Sequence, residues 1–143
     1  MSISIDSKSK IYLKKGVLIA SNSAISATGG GILYLGKNVG VNRNSMIICH
    51  ERITIDDNTI MGPGVCIYDH DHVFDSENGV QRNQYVTAPI LIGKNCWIGA
   101  DVVILRGSII GDNCLIAAGS VVKGEVPSGS VIIQKREMIV KRR

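Results

Sequence analysis

Histidine and aspartate alternate in one short stretch of the chain, from Asp69 to His72, and His50 precedes this stretch. An imidazole that is neutral at pH 7 can remove the proton of a weak nucleophile such as a hydroxyl group. The carboxylates of Asp69 and Asp71 could orient a ring, although the alternation of inward and outward residues could equally leave them in solvent. Residues of these types could therefore do acid–base chemistry through His70 or His72, or the two histidines could be a purely structural pair.

A metal site is the competing interpretation of the same residue types. Catalytic zinc needs three convergent protein ligands and an open fourth position. His50 and His70 are 20 residues apart, a spacing at which they could converge. We expect His70 and His72, which alternate on a strand, to point to opposite faces, so the sequence favours a site without metal.

A step of six residues organises the chain around this stretch. From residue 92 onward, every sixth residue is β-branched and apolar: Ile92, Ile98, Ile104, Ile110, Ile116 and Val122. The same step fits residues 35–47 and 55–67, and more loosely residues 13–25. Helices and simple strands do not have this period, whereas a short strand followed by a tight Gly or Asn corner does. Three such edges close one coil and stacked coils pair as parallel strands, so the repeat predicts an all-β fold, a parallel β-helix of hexapeptide repeats.

The repeat is interrupted twice. The step between Ile47 and Ile55 is eight, which predicts that two extra residues bulge out near residues 49–51. Between Ile67 and Ile92 the sequence is mostly polar and has no repeat. Because a long insertion in a compact domain is usually functional, we predict a projecting loop at about residues 73–88, directly after the histidine–aspartate stretch.

Composition is consistent with one such domain over residues 1–143. Hydrophobic residues make up 45% of the chain but aromatic residues only 4%, as expected for a narrow interior that admits Ile, Val and Ala but few rings. A charged fraction of 20% with a mean hydropathy of +0.19 excludes a disordered chain. The start of the chain is too polar for a signal peptide, and there is no apolar run of about 18 residues that could span a membrane. We therefore expect a soluble, cytoplasmic domain.

Cysteines and basic residues add two further expectations. The four cysteines have neither C-x-x-C nor tight spacing, which indicates free, mostly buried thiols in a reducing compartment. The net charge of +4 is modest, and we expect no nucleic-acid partner. The tail over residues 135–143 has five basic residues and one acid, so it could bind phosphates or an acidic polymer, or be a solvated end that prevents edge pairing.

The stretch from about Gly36 to Pro127 resembles hexapeptide-repeat acetyltransferases of the maltose, galactoside and nodulation-factor type, closest in style to short capsule and exopolysaccharide O-acetyltransferases. Its most specific segment is GKNCWIGADVVILRGSIIGDN. The resemblance implies left-handed coils, a homotrimer with sites between subunits, and transfer of acetyl from acetyl-CoA to a saccharide hydroxyl. The chain departs from the family at residues 123–124, which replace Thr-Lys, and at residues 134–136, which replace Gly-x-Pro. We also expect no N-terminal helical segment like that of the sugar-acetylating members.

The resemblance assigns roles to individual residues. The family's catalytic histidine lies ten residues after the glycine of a Gly-Pro-x-Val turn, which corresponds to His72 here. Asn42 matches the acceptor-binding asparagine, although an asparagine in such a repeat could equally form a left-handed corner. His50 and Tyr85 match positions that line the acceptor pocket, and we include His70 with them as an acceptor-binding candidate.

The resemblance also implies residues for the co-substrate acetyl-CoA, with no metal. The backbone amides of Ala100 and Ala118 would contact the acetyl and pantetheine parts and donate to the oxyanion. Trp97 would form an exposed hydrophobic wall, because a narrow interior cannot hold an indole ring. Lys123 and Arg136 would bind the phosphates, or they are ordinary surface charges.

Other functions remain open for the same scaffold. The first alternative is N-acetylation of an amino sugar or another small amine. Further alternatives are a β-helix that binds a partner without catalysis, and a zinc β-helix enzyme. The long insertion and the histidine-rich stretch favour catalysis, since a pure scaffold needs only regular coils.

Overall fold

The structure is a computed structural model that describes residues 1–142. Its strands form three six-stranded parallel sheets and one two-stranded antiparallel hairpin. Successive strands join the three sheets in turn, so the sheets are the walls of a prism that the chain winds around in coils. The predicted all-β parallel β-helix is thereby confirmed, and it is consistent with the left-handed winding that the resemblance implies. In the described part of the chain, no helix is long and apolar enough to cross a bilayer.

The three walls are numbered in the order in which the chain first reaches them. Wall 1 contains β1 (Ser2–Ile5), β4 (Ala24–Ala27), β7 (Met46–Cys49), β10 (Cys66–Tyr68), β15 (Val103–Ile104) and β18 (Val121–Val122). Wall 2 contains β2 (Lys10–Leu13), β5 (Ile32–Leu35), β8 (Arg52–Ile55), β13 (Ile90–Ile92), β16 (Ile109–Ile110) and β19 (Glu125–Val126). Wall 3 contains β3 (Leu18–Ile19), β6 (Gly40–Val41), β9 (Ile60–Met61), β14 (Trp97–Ile98), β17 (Leu115–Ile116) and β20 (Val131–Ile132).

The core is the column of residues that the six-residue step selects. Ile98 pairs in register with Ile116, and Ile104 with Val122, so each inward side chain lies on the inward side chain of the next coil. These residues are at most 5% exposed. Leu13 pairs with Leu35 but lies in the first coil and is 43% exposed, which accounts for the weaker repeat there. The hydrophobic interior therefore follows the predicted period.

Asparagine forms the corner between walls 2 and 3 in four coils. Asn38, Asn58, Asn95 and Asn113 have positive φ angles of 55 to 60°. Their side chains also bond to one another, from Asn38 to Asn58 at 3.0 Å and from Asn95 to Asn113 at 3.3 Å. Asparagine tolerates the left-handed conformation better than other residues with a side chain, so these positions allow the chain to turn after each short strand.

The insertion predicted as a loop at residues 73–88 is a hairpin. Its strands are β11 (His70–Asp75) and β12 (Gly79–Thr87), which pair antiparallel. The hairpin leaves the fourth coil at the corner between walls 1 and 2, hereafter the wall 1/2 corner. It begins three residues earlier than predicted, because the alternating sequence on either side of the SENG turn forms strands.

The C-terminal segment closes the last coil. The side-chain amide of Gln134 donates to the Val121 carbonyl at 2.7 Å, and its oxygen accepts from the Val121 N–H at 2.9 Å. Gln134 thus occupies the open edge of wall 1 as a neighbouring strand would. The Arg136 guanidinium donates to the Gly119 carbonyl. Residues 135–142 of the predicted basic tail form no regular structure, and Arg143 lies outside the described residues.

The four cysteines are free, as predicted. Cys49, Cys96 and Cys114 are buried and Cys66 is half-buried. They pack as small apolar side chains on the inner or outer side of the coils.

The stacked core gives a direct stability prediction. We expect Ile104→Ala to lower the free energy of unfolding by about 2–5 kcal/mol, because the coils above and below cannot collapse into the gap. Denaturant unfolding followed by circular dichroism measures this. Lys94→Ala, at an exposed corner, should stay within about 0.5 kcal/mol of wild type; equal effects of the two substitutions would contradict the stacked core.

Candidate active site

Four aromatic side chains meet at the wall 1/2 corner of the third and fourth coils. The ring centroids of His50 and His70 are 3.9 Å apart. The Tyr85 ring lies 4.4 Å from His50 and 4.8 Å from His72. The structure therefore brings together the predicted base and three of the predicted acceptor-binding residues, although they come from positions 50 to 85 of the sequence.

The expectation that His70 and His72 point to opposite faces is wrong. Both rings lie against Tyr85, with centroid distances of 5.4 and 4.8 Å. Residues two apart on a strand share a face, since side chains alternate with a period of two. The intervening Asp71 is the residue that points away.

Asp69 is the buried centre of this corner, not a solvated acid. Its side chain is 0% exposed. Its carboxylate accepts the backbone N–H groups of His50 and Glu51, each at 2.8 Å, and of Arg52 at 2.9 Å. It also lies 3.3 Å from Nδ1 of His70. The two extra residues of the third coil extend β7 and β8 towards this corner and are not a bulge out of the coil, since Cys49 is buried in β7. Asp69 holds the corner at residues 50–52 in place and orients His70.

Asp71 contacts the following coil. Its carboxylate forms an ion pair with the guanidinium of Arg106, at 2.5 Å from Nε. Arg106 lies at the wall 1/2 corner of the fifth coil, between β15 and β16. The histidine–aspartate stretch is thus bonded to the third coil through one acid and to the fifth coil through the other.

Burial sets the protonation of the groups around this cluster. Burial, and then the charge of His70, lowers the pKa of His50 below its ordinary value, so this ring is neutral at pH 7. Burial, followed by the charge of Asp69, raises the pKa of Cys49 to about 12. The Cys49 thiol is therefore protonated at pH 7 and is a poor nucleophile.

An open cleft of about 440 Å³ adjoins the cluster. The residues that line it come from the second coil, the corner after β7, and β12: Thr28, Gly29, His50, Asn83, Tyr85 and Thr87. Sequence reasoning missed Thr28, Asn83 and Thr87. The only sequence signal was the TGGG run at residues 28–31, where φ is positive at two of the glycines.

Several other predicted residues lie at a different corner, between walls 3 and 1. Asn42, Ala100 and Ala118 occupy this corner in the second, fourth and fifth coils, and Arg136 reaches it through Gly119. The structure does not bring them to His72 within one chain. Asn42 uses its side-chain oxygen to accept the Arg43 N–H at 2.8 Å.

The wall 3/1 corner offers unused backbone donors. Within residues 1–142, the N–H groups of Ala100 and Ala118 donate no hydrogen bond. The coils approach closely there, since a Cβ added to Gly62 would lie 2.7 Å from the Ala100 nitrogen. A ligand running along this corner would meet free N–H groups and small side chains.

The remaining predicted residues are exposed. Trp97 is 56% exposed on wall 3, as expected for an exposed hydrophobic wall. Lys123 lies at the wall 1/2 corner of the sixth coil and not near Ala100 or Ala118. An apolar cleft of about 470 Å³ on wall 3 is bordered by Leu18, Ile60 and Asn42 among others, and it has no titratable group in its lining.

A metal site needs at least three convergent ligands. Among residues 1–142, no three His, Cys, Asp or Glu side chains are arranged to hold a metal ion. The aromatic cluster at the wall 1/2 corner consists of imidazole and phenol groups, which can form hydrogen bonds and, in the case of imidazole, accept a proton near pH 7.

Known proteins are similar to this chain in sequence and in fold. Residues 89–124 match the family model described as bacterial transferase hexapeptide (six repeats). Nodulation protein L of Rhizobium meliloti (strain 1021) is 42% identical over 101 residues, which are 71% of this chain and 55% of that protein. The chain spans about half the length of the curated relatives it matches.

Two solved structures extend the comparison. The maltose O-acetyltransferase from Clostridium difficile 630 is 32% identical with a TM-score of 0.72, over 84% of this chain and 63% of that one. A hexapeptide-repeat acetyltransferase from Vibrio cholerae O1 biovar eltor, complexed with acetyl coenzyme A, is 26% identical with a TM-score of 0.70, over 87% of this chain and 64% of that one. The repeat, the coils and these relatives agree: the chain contains the bacterial transferase hexapeptide repeat and is similar in sequence and fold to acetyltransferases of the hexapeptide-repeat type.

Proposed function

We propose that the chain is an acetyl-CoA-dependent O-acetyltransferase that acts on a saccharide hydroxyl, with His72 as general base. The observation that carries this proposal is the convergence of three imidazoles and Tyr85 at the root of the hairpin. Relatives described as a maltose O-acetyltransferase and as an acetyltransferase complexed with acetyl coenzyme A support the reaction class.

The proposed reaction is direct transfer in a ternary complex. His72 takes the proton of the acceptor hydroxyl while the oxygen attacks the thioester carbonyl. The tetrahedral intermediate then collapses, its C–S bond breaks, and the proton on His72 passes to the departing thiolate of CoA. His72 is exposed and can receive a substrate, whereas His70 is half-buried beside Asp69.

No covalent intermediate on the protein is needed. The Cys49 thiol is buried and its pKa is raised to about 12. The Cys66 thiol contacts the Gly64 carbonyl at 3.7 Å, on the outer side of wall 1. The Cys49 thiol is buried and protonated at pH 7 although Asp69 adjoins it, so it is not an activated nucleophile.

The cleft beside the cluster supports a hydroxyl acceptor over an amine. The cleft is lined by the hydroxyls of Thr28 and Thr87, the amide of Asn83, the ring of Tyr85 and the imidazole of His50. No carboxylate or ammonium group is among them, and the pKa of His50 is lowered by burial, so its ring is neutral at pH 7. Such groups donate and accept hydrogen bonds with sugar hydroxyls, and an aromatic ring packs against the apolar face of a sugar. An amine that is charged at pH 7 would favour a carboxylate, but Asp69 is buried and Asp71 is paired with Arg106.

We propose a homotrimer in which two chains complete each site. The wall 3/1 corner holds the free N–H groups of Ala100 and Ala118, whereas His72 is at the wall 1/2 corner. A neighbouring chain that presents its wall 3/1 corner to this cluster would bring acetyl-CoA to the base. Outer apolar residues such as Leu18 and Trp97, 73% and 56% exposed, are candidates for burial between chains.

Within the trimer, Asn42 would bind the acceptor, and Lys123 and Arg136 would be available to CoA phosphates.

The cytoplasm is the proposed location, because four free thiols are typical of a reducing compartment. A panel of saccharides and amino sugars, scored by release of CoA, distinguishes O-acetylation from N-acetylation. Absence of turnover with every acceptor would favour the binding module.

The first functional prediction concerns the base. We expect His72→Ala to lower kcat by about two to four orders of magnitude, because the acceptor hydroxyl loses its proton acceptor. Acetyl-CoA binding, measured by calorimetry, should persist. His70→Ala is the matched control; if it abolishes transfer while His72→Ala stays within tenfold of wild type, the base is His70.

The second prediction concerns the shared site. We expect light scattering at micromolar concentration to give the mass of a trimer. Ala118→Trp blocks the wall 3/1 corner. When equal amounts of this variant and His72→Ala exchange subunits, about a quarter of the interfaces should pair an intact His72 with an intact wall 3/1 corner, and activity should return at those sites. No restored activity after the subunits exchange, or a fully active monomer, would place the whole site in one chain.

The third prediction concerns the outer hairpin, which is residues 74–80. Val73 and Gln81 are register partners, so residues 74–80 can be replaced by an Asn-Gly turn without disturbing His72 or Tyr85. We expect kcat/KM for the sugar to fall about tenfold or more because the acceptor loses its cover, while slow hydrolysis of acetyl-CoA and the Kd for acetyl-CoA change little. Glu77→Ala, exposed in the turn, is the control, and unchanged sugar kinetics in the shortened chain would make the outer hairpin passive.

A further inference from the structure

The hairpin is held mainly at its root. Its outer part has few buried contacts, since Phe74 is 74% and Val80 is 54% exposed. The strand pairing also shifts directly after His72, whose partner is Tyr85, while the partner of Val73 is Gln81. The backbone hydrogen bonds between the strands beyond this register shift therefore cannot determine where the His72 ring lies.

One corner of the fifth coil contacts both strands at that root. Arg106 pairs with Asp71 on β11. The next residue, Gly107, donates its N–H to the Ala88 carbonyl at 3.2 Å, directly after β12. The Ala88 N–H in turn donates to the Asp69 carbonyl at 2.9 Å and closes the neck of the hairpin.

We propose that Arg106 is a positioning residue, which through Asp71 sets the place and direction of His72. This inference rests on the proposed role of His72 as base. Asp69 bonds the start of the stretch to the third coil, and Asp71 bonds it to the fifth, so the strand is fixed on both sides. His70 and His72 then face the remaining side, towards Tyr85.

The pair acts on orientation more than on folding. The side chains of Arg106 and Asp71 are 28% and 51% exposed, and exposed pairs contribute little to the free energy of unfolding. A small displacement of a catalytic group, in contrast, can cost about a hundredfold in rate. Loss of the pair should therefore lower kcat without unfolding the coils.

Hydrogen exchange tests, without reference to catalysis, whether the Arg106–Asp71 pair holds the hairpin in place. We expect Arg106→Gln and Asp71→Asn each to speed exchange of the amides in residues 70–75 and 79–87, with the coils unchanged. Arg106→Lys, which keeps the charge, should restore part of the protection. The double variant should be no faster than either single one, because both remove the same pair. Arg82→Gln, a surface arginine on β12, is the matched control.

Kinetics on the full chain supply the second readout. In Arg106→Gln we expect kcat to fall about 10- to 100-fold with the KM for acetyl-CoA unchanged, and recovery in Arg106→Lys. If Arg106→Gln has exchange rates and a kcat within twofold of those of Arg82→Gln, Arg106 is not a positioning residue, while the proposed function stands. If the wild-type chain transfers no acetyl group, the proposed function fails, and the exchange data alone decide whether the Arg106–Asp71 pair holds the hairpin in place.

Discussion

Every inward side chain must stack on the inward side chain of the next coil, and the rest of the molecule depends on this constraint. Ile98 on Ile116 and Ile104 on Val122 are examples from two walls. Inward side chains from all three walls pack in one core, and such close-packed interiors relax only partly around a gap. The corners must also return the chain to the same place after each strand, which explains the asparagines with positive φ between walls 2 and 3.

Chemistry is confined to the corners, because wall residues are committed to the core or to the outer face. At the wall 1/2 corner the inward position after Ile67 is taken by Asp69, a carboxylate where the column calls for an apolar group. A buried charge is tolerated only if hydrogen bonds replace its hydration, and the backbone N–H groups of residues 50–52 do so. The residue that breaks the apolar column thus also assembles the histidine cluster.

The two halves of the proposed site lie on different corners of one chain. Imidazoles and a polar cleft occupy the wall 1/2 corner, and free backbone donors with small side chains occupy the wall 3/1 corner. A rigid stack of coils cannot bend to bring two of its own corners together. This division is a physical reason for assembly, because a second chain can place one corner against the other.

The sequence by itself determined the fold, since a strict six-residue period places one apolar side chain inside each edge whatever the rest of the chain does. It also predicted the insertion and the extra residues near residues 49–51, because each is a local departure from that period. The free thiols were predicted from the spacing of the cysteines. The burial of Asp69, the common face of His70 and His72, the hairpin in place of a loop, and the contacts of Thr28, Asn83 and Arg106 were decided by the tertiary structure. Those features join residues from different coils, and which residues of successive coils meet at a corner depends on coil length and register, which a local pattern does not contain.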